Sequence, residues 1–251
     1  MRLHDRVAIV TGAARGLGQS FCVALAKEGA KIVAADVSSC DETLAMIERS
    51  GGCAVAVQTN IVHFTETEKM ARRALDEFGR IDILVNNAAS LPKFTPFDQI
   101  EEDAWDHVMA VNVKGMWHCC KAVMPTMRAQ GKGRIINVSS DTIWMGVPML
   151  LHYVSSKGAI LSFGRALARE LSGTGINVNT ITPGFTRTAG TEQMADAGTI
   201  NHIRGLVLEQ QIVKRSEEPS DVDGALLFLA SDDSEFITGQ VINVNGGATH
   251  H

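Results

Sequence analysis

The stretch RVAIVTGAARGLG, residues 6–18, decides the fold. Its first half is a β-branched apolar run closed by glycine, and it opens directly onto LGQSFCVALAKEGA, whose pattern is helical. A strand passing to a helix through a glycine-rich loop is the start of a βαβ unit. Gly12, Gly16 and Gly18 permit a tight turn, and their missing side chains let the backbone approach a pyrophosphate at the helix N-terminus. Arg15 and Leu17 lie in the same loop. The spacing is GxxxGxG rather than GxGxxG, so the dinucleotide fingerprint is matched in mechanism and not in letter.

The same alternation continues along the chain. KIVAADV (31–37), CAVAVQTN (53–60), IDILVNNAA (81–89), GRIINVSS (133–140), INVNTITPG (176–184) and QVINVNGG (240–247) read as further strands. Helical patterns separate them, the most amphipathic being FTETEKMARRALDEFG (64–79). Nearly continuous apolar strands are covered on both faces, which is the mark of a parallel sheet between helix layers. The expectation is an α/β, doubly wound (Rossmann) parallel sheet of about seven strands, forming one domain over residues 1–251. Residues 185–215 are the least regular long stretch, and their place just past a strand's C-terminal end suits a lid over a substrate.

Bulk properties narrow the function. Hydrophobic residues make up 45% and charged residues 20%, as in a water-soluble globular protein. A net charge of −5 argues against a nucleic-acid partner, and no apolar run approaches the ~20 residues that cross a bilayer. The opening MRLHDRVAIVTG lacks a signal-peptide cleavage site. The cysteines, Cys22, Cys40, Cys53, Cys119 and Cys120, show no metal-ligand or CxxC spacing. They are expected to be reduced thiols in a cytoplasmic protein, with no metal site. The terminal His250 and His251 carry no weight in this reading.

Asp36 ends the second strand, where an acid can hydrogen-bond the adenosine ribose hydroxyls. The same carboxylate repels a 2′-phosphate, which favours NAD over NADP. Arg15 argues the other way, because a guanidinium can pair with that phosphate. Asp36 carries more weight, since the phosphate would have to lie beside a like charge.

The chain's one tyrosine, Tyr153, precedes Lys157 by one helical turn in HYVSSK (152–157). Together with TGAARGLG at 11–18, NNAA at 86–89, Asn112, Ser140 and Pro183-Gly184, this ordered set resembles the short-chain dehydrogenase/reductase family over nearly the whole chain. The resemblance implies that Tyr153 is the general acid/base, its pKa lowered from about 10 by the Lys157 ammonium and the nicotinamide ring. It implies that Lys157 also holds the nicotinamide ribose, that Ser140 steadies the substrate oxygen, and that Asn112 positions a relay water. It further places Asn60 and Ile61 beside the adenine and Asn87 and Ala88 along the cofactor. Pro183, Gly184, Thr186 and Thr188 would meet the nicotinamide end.

Departures from the family pattern are Ala89 in place of a glycine, Ile143 and Trp144 where a glycine is common, and Thr186 in place of an aliphatic residue. The substrate wall between Ser140 and Tyr153 is expected to use Thr142, Trp144, Met149 and Leu150, with Phe185 opposite. The expected activity is NAD-dependent hydride transfer between an apolar secondary alcohol, aryl or alicyclic, and its ketone. Two alternatives stand beside it: a 3-oxoacyl-thioester reductase acting on a carrier-linked substrate, and a catalytically silent dinucleotide-binding protein. A homo-oligomer, tetramer before dimer, is the expected assembly.

Overall fold

The computed structural model describes residues 1–250; His251, the last position of the expected domain, lies outside the described residues. The strands are β1 (Val7–Thr11), β2 (Lys31–Asp36), β3 (Cys53–Gln58), β4 (Ile83–Asn86), β5 (Gly133–Val138), β6 (Ile176–Pro183) and β7 (Val241–Val244). They form one seven-stranded sheet in the order β3-β2-β1-β4-β5-β6-β7, with every neighbouring pair parallel. The order reverses between β1 and β4, and such a switch point opens a crevice at the strands' C-terminal ends.

Between the strands run α1 (Gly16–Lys27), α2 (Asp41–Arg49), α3 (Phe64–Phe78), α4 (Glu102–Met109) and α5 (Met116–Gln130). The second half of the chain adds α6 (Thr142–Met145), α7 (Leu151–Glu170), α8 (Ala189–Glu192), α9 (Ala197–Gln210) and α10 (Pro219–Ala230). Alternate strand residues feed two separate cores, because successive side chains leave a strand on opposite faces. Ala8 and Val10 pack with Phe21 and Leu25 of α1 and with Leu226 and Leu229 of α10. Val7 and Ile9 pack on the other face with Met70 of α3 and with Val123 and Met127 of α5. Each such fully buried side chain contributes roughly 1.5–3 kcal/mol relative to exposure.

Two local features differ from a plain reading of periodicity. The helical span near 101–130 is broken by a π-helical turn over Ala110–Gly115, which carries Asn112; such turns occur mostly as single bulges, often at functional sites. Residues 185–215 are also more regular than expected, since α8 and α9 occupy much of them. Asp196 starts α9 by accepting the amides of Gly198 and Thr199, and Thr188 caps α8 in a reciprocal pair with Thr191.

Candidate active site

The loop after β1 is built so that bare backbone faces the crevice. Gly12 and Gly16 both have positive φ, 67° and 61°. A Cβ on Gly12 would lie 2.8 Å from the Cα of Ala88. The side chain of Asn87 braces the loop from β4, its Nδ2 donating to the carbonyls of Thr11 and Gly12 at 2.9 and 3.1 Å. Asp36 is tied to the same loop: its Oδ2 accepts the Ala14 amide at 3.0 Å and its Oδ1 the Ser38 amide at 2.9 Å.

One continuous cavity of about 1920 Å³ runs from this loop across the sheet to α9. Among the expected cofactor residues, Gly12, Arg15, Gly16, Leu17, Asp36, Asn60, Ile61, Asn87, Ala88, Pro183, Gly184, Thr186 and Thr188 all line it. Ser140, Tyr153 and Lys157 line it as well. Three expected site residues do not. Gly18 is buried where a Cβ would meet the Gly12 carbonyl oxygen at 2.0 Å, so it serves the close seating of α1 rather than the cavity surface. Asn112 is buried beneath the wall. Trp144 of the expected substrate wall is not among the lining residues: on the single turn of α6 these are Thr142 and Met145.

Thr142, Met149, Leu150 and Phe185 line the cavity as expected. Sequence reading missed Ile203, Leu206, Val207 and Gln210 of α9, which complete the far wall. Their i, i+3, i+4, i+7 spacing marks one helix face and was the available signal.

Within the catalytic group, Lys157 Nζ donates to the Val138 carbonyl at 2.9 Å and sits 5.6 Å from the centre of the Tyr153 ring. The Ser140 hydroxyl lies beside Tyr153 and favours its phenolate. The oxygen of Ser140 accepts from the Thr142 amide at 3.3 Å and from the Thr142 hydroxyl at 3.0 Å. With those acceptor positions taken, the serine proton is left to point at Tyr153 or at a substrate oxygen. Asn112 is held on three sides: its Oδ1 accepts the Ser90 amide at 2.7 Å, and its Nδ2 donates to the Ser90 carbonyl and the Ser156 hydroxyl.

The tyrosine's electrostatics run against expectation. Burial, aided by the charge of Asp141, pushes Tyr153 up to about 12, and only the Ser140 hydrogen bond works the other way. Burial likewise pushes Lys157 down to about 8. In the protein alone, desolvation outweighs the lysine, because both groups are enclosed and Nζ is turned toward Val138.

Comparison with known proteins agrees with this geometry. Residues 12–249 match the family model described as Enoyl-(Acyl carrier protein) reductase. The chain is 36% identical to a 3-oxoacyl-(acyl-carrier-protein) reductase of Staphylococcus epidermidis, over 97% of this chain and 98% of that one. It is 37% identical to the protein of that name from Synechocystis, over 98% and 97%. The solved structure of levodione reductase superposes with a TM-score of 0.93 at 27% identity, covering 98% of each chain. A whole-length match of this kind, on a doubly wound sheet that gathers Ser140, Tyr153 and Lys157 at one cavity, establishes that the chain belongs to the short-chain dehydrogenase/reductase family.

Proposed function

We propose that this oxidoreductase interconverts a secondary alcohol and its ketone at the Ser140–Tyr153–Lys157 group. The observation that carries the reading is Ser140 and Tyr153 side by side on one cavity wall, with Lys157 one turn away and the glycine loop at the cavity's far end. The loop fits a nicotinamide dinucleotide, because Gly12 leaves no room for a side chain, Gly16 needs its positive φ, and the helix N-terminus that follows suits a pyrophosphate. When bound, that cofactor supplies or takes the hydride. Tyr153, protonated at neutral pH, gives its proton to the ketone oxygen as charge develops there. The Ser140 hydroxyl donates to the same oxygen. Lys157 would hold the nicotinamide ribose and, with Asn112, would pass a proton back to Tyr153.

A tyrosine held near 12 carries a signed pH dependence. Ketone reduction uses the protonated form, which is abundant at pH 7, whereas alcohol oxidation needs the phenolate, which grows as pH rises. Initial rates of oxidation should climb steadily from pH 7 to 9 while reduction stays level or falls. An oxidation rate that is flat over that interval would remove Tyr153 as the base.

NAD(H) is the proposed cofactor. Asp36 is held in place by two backbone amides at the end of β2, where a 2′-phosphate would lie against it. For the substrate, the whole-length relatives favour a 3-oxoacyl thioester, and the long cavity with its apolar α9 wall suits an acyl chain. One observation favours the second reading, a neutral aryl or alicyclic ketone. Arg187 is flanked by Glu192 and Glu218, and Arg204 is paired with Glu192, so the nearby guanidiniums are neutralised. In this scheme α8 and α9 form the lid. The apolar side chains exposed on α4 and α5, Trp105 and Trp117, are proposed as part of a homo-oligomer interface, a tetramer before a dimer.

A rate panel tests both choices, pairing acetoacetyl thioesters, cyclic ketones and aryl ketones with NADH and NADPH. NADH should be preferred at least about tenfold, and Asp36→Ala should narrow that preference by a similar factor. NADPH preference in the wild type would sink the cofactor assignment. Faster turnover of cyclic ketones than of thioesters would select the second substrate reading. Tight NADH binding without turnover on any substrate would leave a dinucleotide-binding protein.

A further inference from the structure

Glu217 is a buried carboxylate in the connection between α9 and α10, and no step above uses it. Its Oε1 accepts the Thr186 hydroxyl at 2.7 Å, and its Oε2 accepts the Gly184 amide at 3.1 Å. Its own carbonyl accepts the Arg187 amide at 2.8 Å. One residue thus staples the turn after β6 from three sides. Gly184 is what admits it, since a Cβ there would lie 2.7 Å from Oε2.

That turn forms the cavity floor beside Ser140: the Pro183 carbonyl accepts the Asp141 amide at 3.0 Å, and Gly184, Thr186 and Thr188 line the space in front of Tyr153. The adenosine end is assigned to Asp36 on β2, so the opposite end of a dinucleotide reaches this turn, on the β6 side of the switch point. A hydroxyl whose proton is committed to a carboxylate retains only acceptor capacity, which suits the NH₂ of a carboxamide.

We propose that Glu217 is a positioning residue for the nicotinamide end of the cofactor. Its ionised carboxylate fixes the 184–188 turn through Gly184 and Thr186, and so presents Thr186 and Thr188 to the carboxamide. The inference rests on the reading that the cavity holds a nicotinamide dinucleotide. Asp141, whose carboxylate is held by Asn245 at 3.3 Å, and Asp221 oppose the ionisation of Glu217, while Arg215 favours it although its guanidinium is bonded to Asp221. Arg187 does not relieve it, being directed to Glu218 and Glu192. Burial and the two aspartates push Glu217 up to about 7. Both accepted hydrogen bonds are therefore charge-assisted above neutrality, and as pH falls through that value the proton takes one oxygen and weakens the hold on the turn.

Calorimetric titration with NADH and with ADP-ribose, which lacks the nicotinamide, tests this directly. Glu217→Ala should weaken NADH about tenfold or more, because two charge-assisted bonds are lost, and leave ADP-ribose within about twofold. Glu217→Gln keeps one acceptor and turns an NH₂ toward the other donor, so its loss should be intermediate. Wild-type affinity for NADH relative to ADP-ribose should fall between pH 8 and pH 6, and Glu217→Gln should flatten that change, even if the alanine variant does not fold. Equal loss of both ligands, or no loss of NADH, overturns the proposal. Wild-type protein that binds neither ligand would overturn the cofactor reading beneath it.

Discussion

Tyr153→Phe is expected to lower ketone turnover about 10³-fold, within the span usual for loss of a general acid, while NADH affinity and folding stay near wild type. The substitution removes one oxygen and keeps the ring. That ring packs with Leu150, Met194 and Ile200, contacts that phenylalanine reproduces. What disappears is the proton donor and the partner of Ser140. Ser140 cannot replace it, since a serine hydroxyl is far too weak an acid. Lys157 is turned toward the Val138 carbonyl. Turnover numbers for a saturating ketone, set beside fluorescence titration with NADH, measure the two halves separately. Near-normal turnover would refute the assignment of Tyr153, and lost NADH binding would show that the hydroxyl serves the fold instead.

Gly18→Ala should cost about 10–100-fold in NADH affinity and lower the melting temperature, although alanine is ordinarily the better helix former by about 1 kcal/mol. Gly18 has ordinary helical backbone, so propensity alone favours the change. Packing reverses the sign: the new Cβ would lie 2.0 Å from the Gly12 carbonyl oxygen and 2.6 Å from Asn87 Nδ2. Neither neighbour is a free side-chain end. One is backbone, and the other is the amide that ties the loop to β4. The loop must shift, and the amides aimed at the pyrophosphate shift with it. Gly224→Ala in α10 is the control, because a Cβ there meets nothing within 4 Å. It should leave NADH binding unchanged and hold or raise the melting temperature. Equal behaviour of the two variants would show that the loop tolerates displacement.

The sheet and its layer structure were legible in the sequence because they depend on local periodicity, whereas the expected stretches 81–89 and 240–247 overran β4 and β7. Val7 to Val10 are apolar in unbroken succession, and that pattern requires cover on both faces. The loop glycines and the shared helix face of Tyr153 and Lys157 follow from spacing, whereas Ser140 was singled out by the family resemblance.

Spacing could not tell a glycine that lines the cavity from one that packs beneath it, and so Gly12 and Gly18 looked alike. Nor could it aim Trp144, because the direction of a side chain on a one-turn helix depends on how the turn docks. Glu217 lies far along the chain from Gly184 and Thr186, and nothing in the local pattern links them. The expected lowering of Tyr153 invoked Lys157 together with a nicotinamide ring; in the protein alone, burial pushes the tyrosine up. By itself, then, the sequence determined the fold and the chemical groups, since each follows from neighbours along the chain. Tertiary structure alone decided which groups face the cavity and how each holds its proton, because desolvation and long-range hydrogen bonds exist only once distant segments meet.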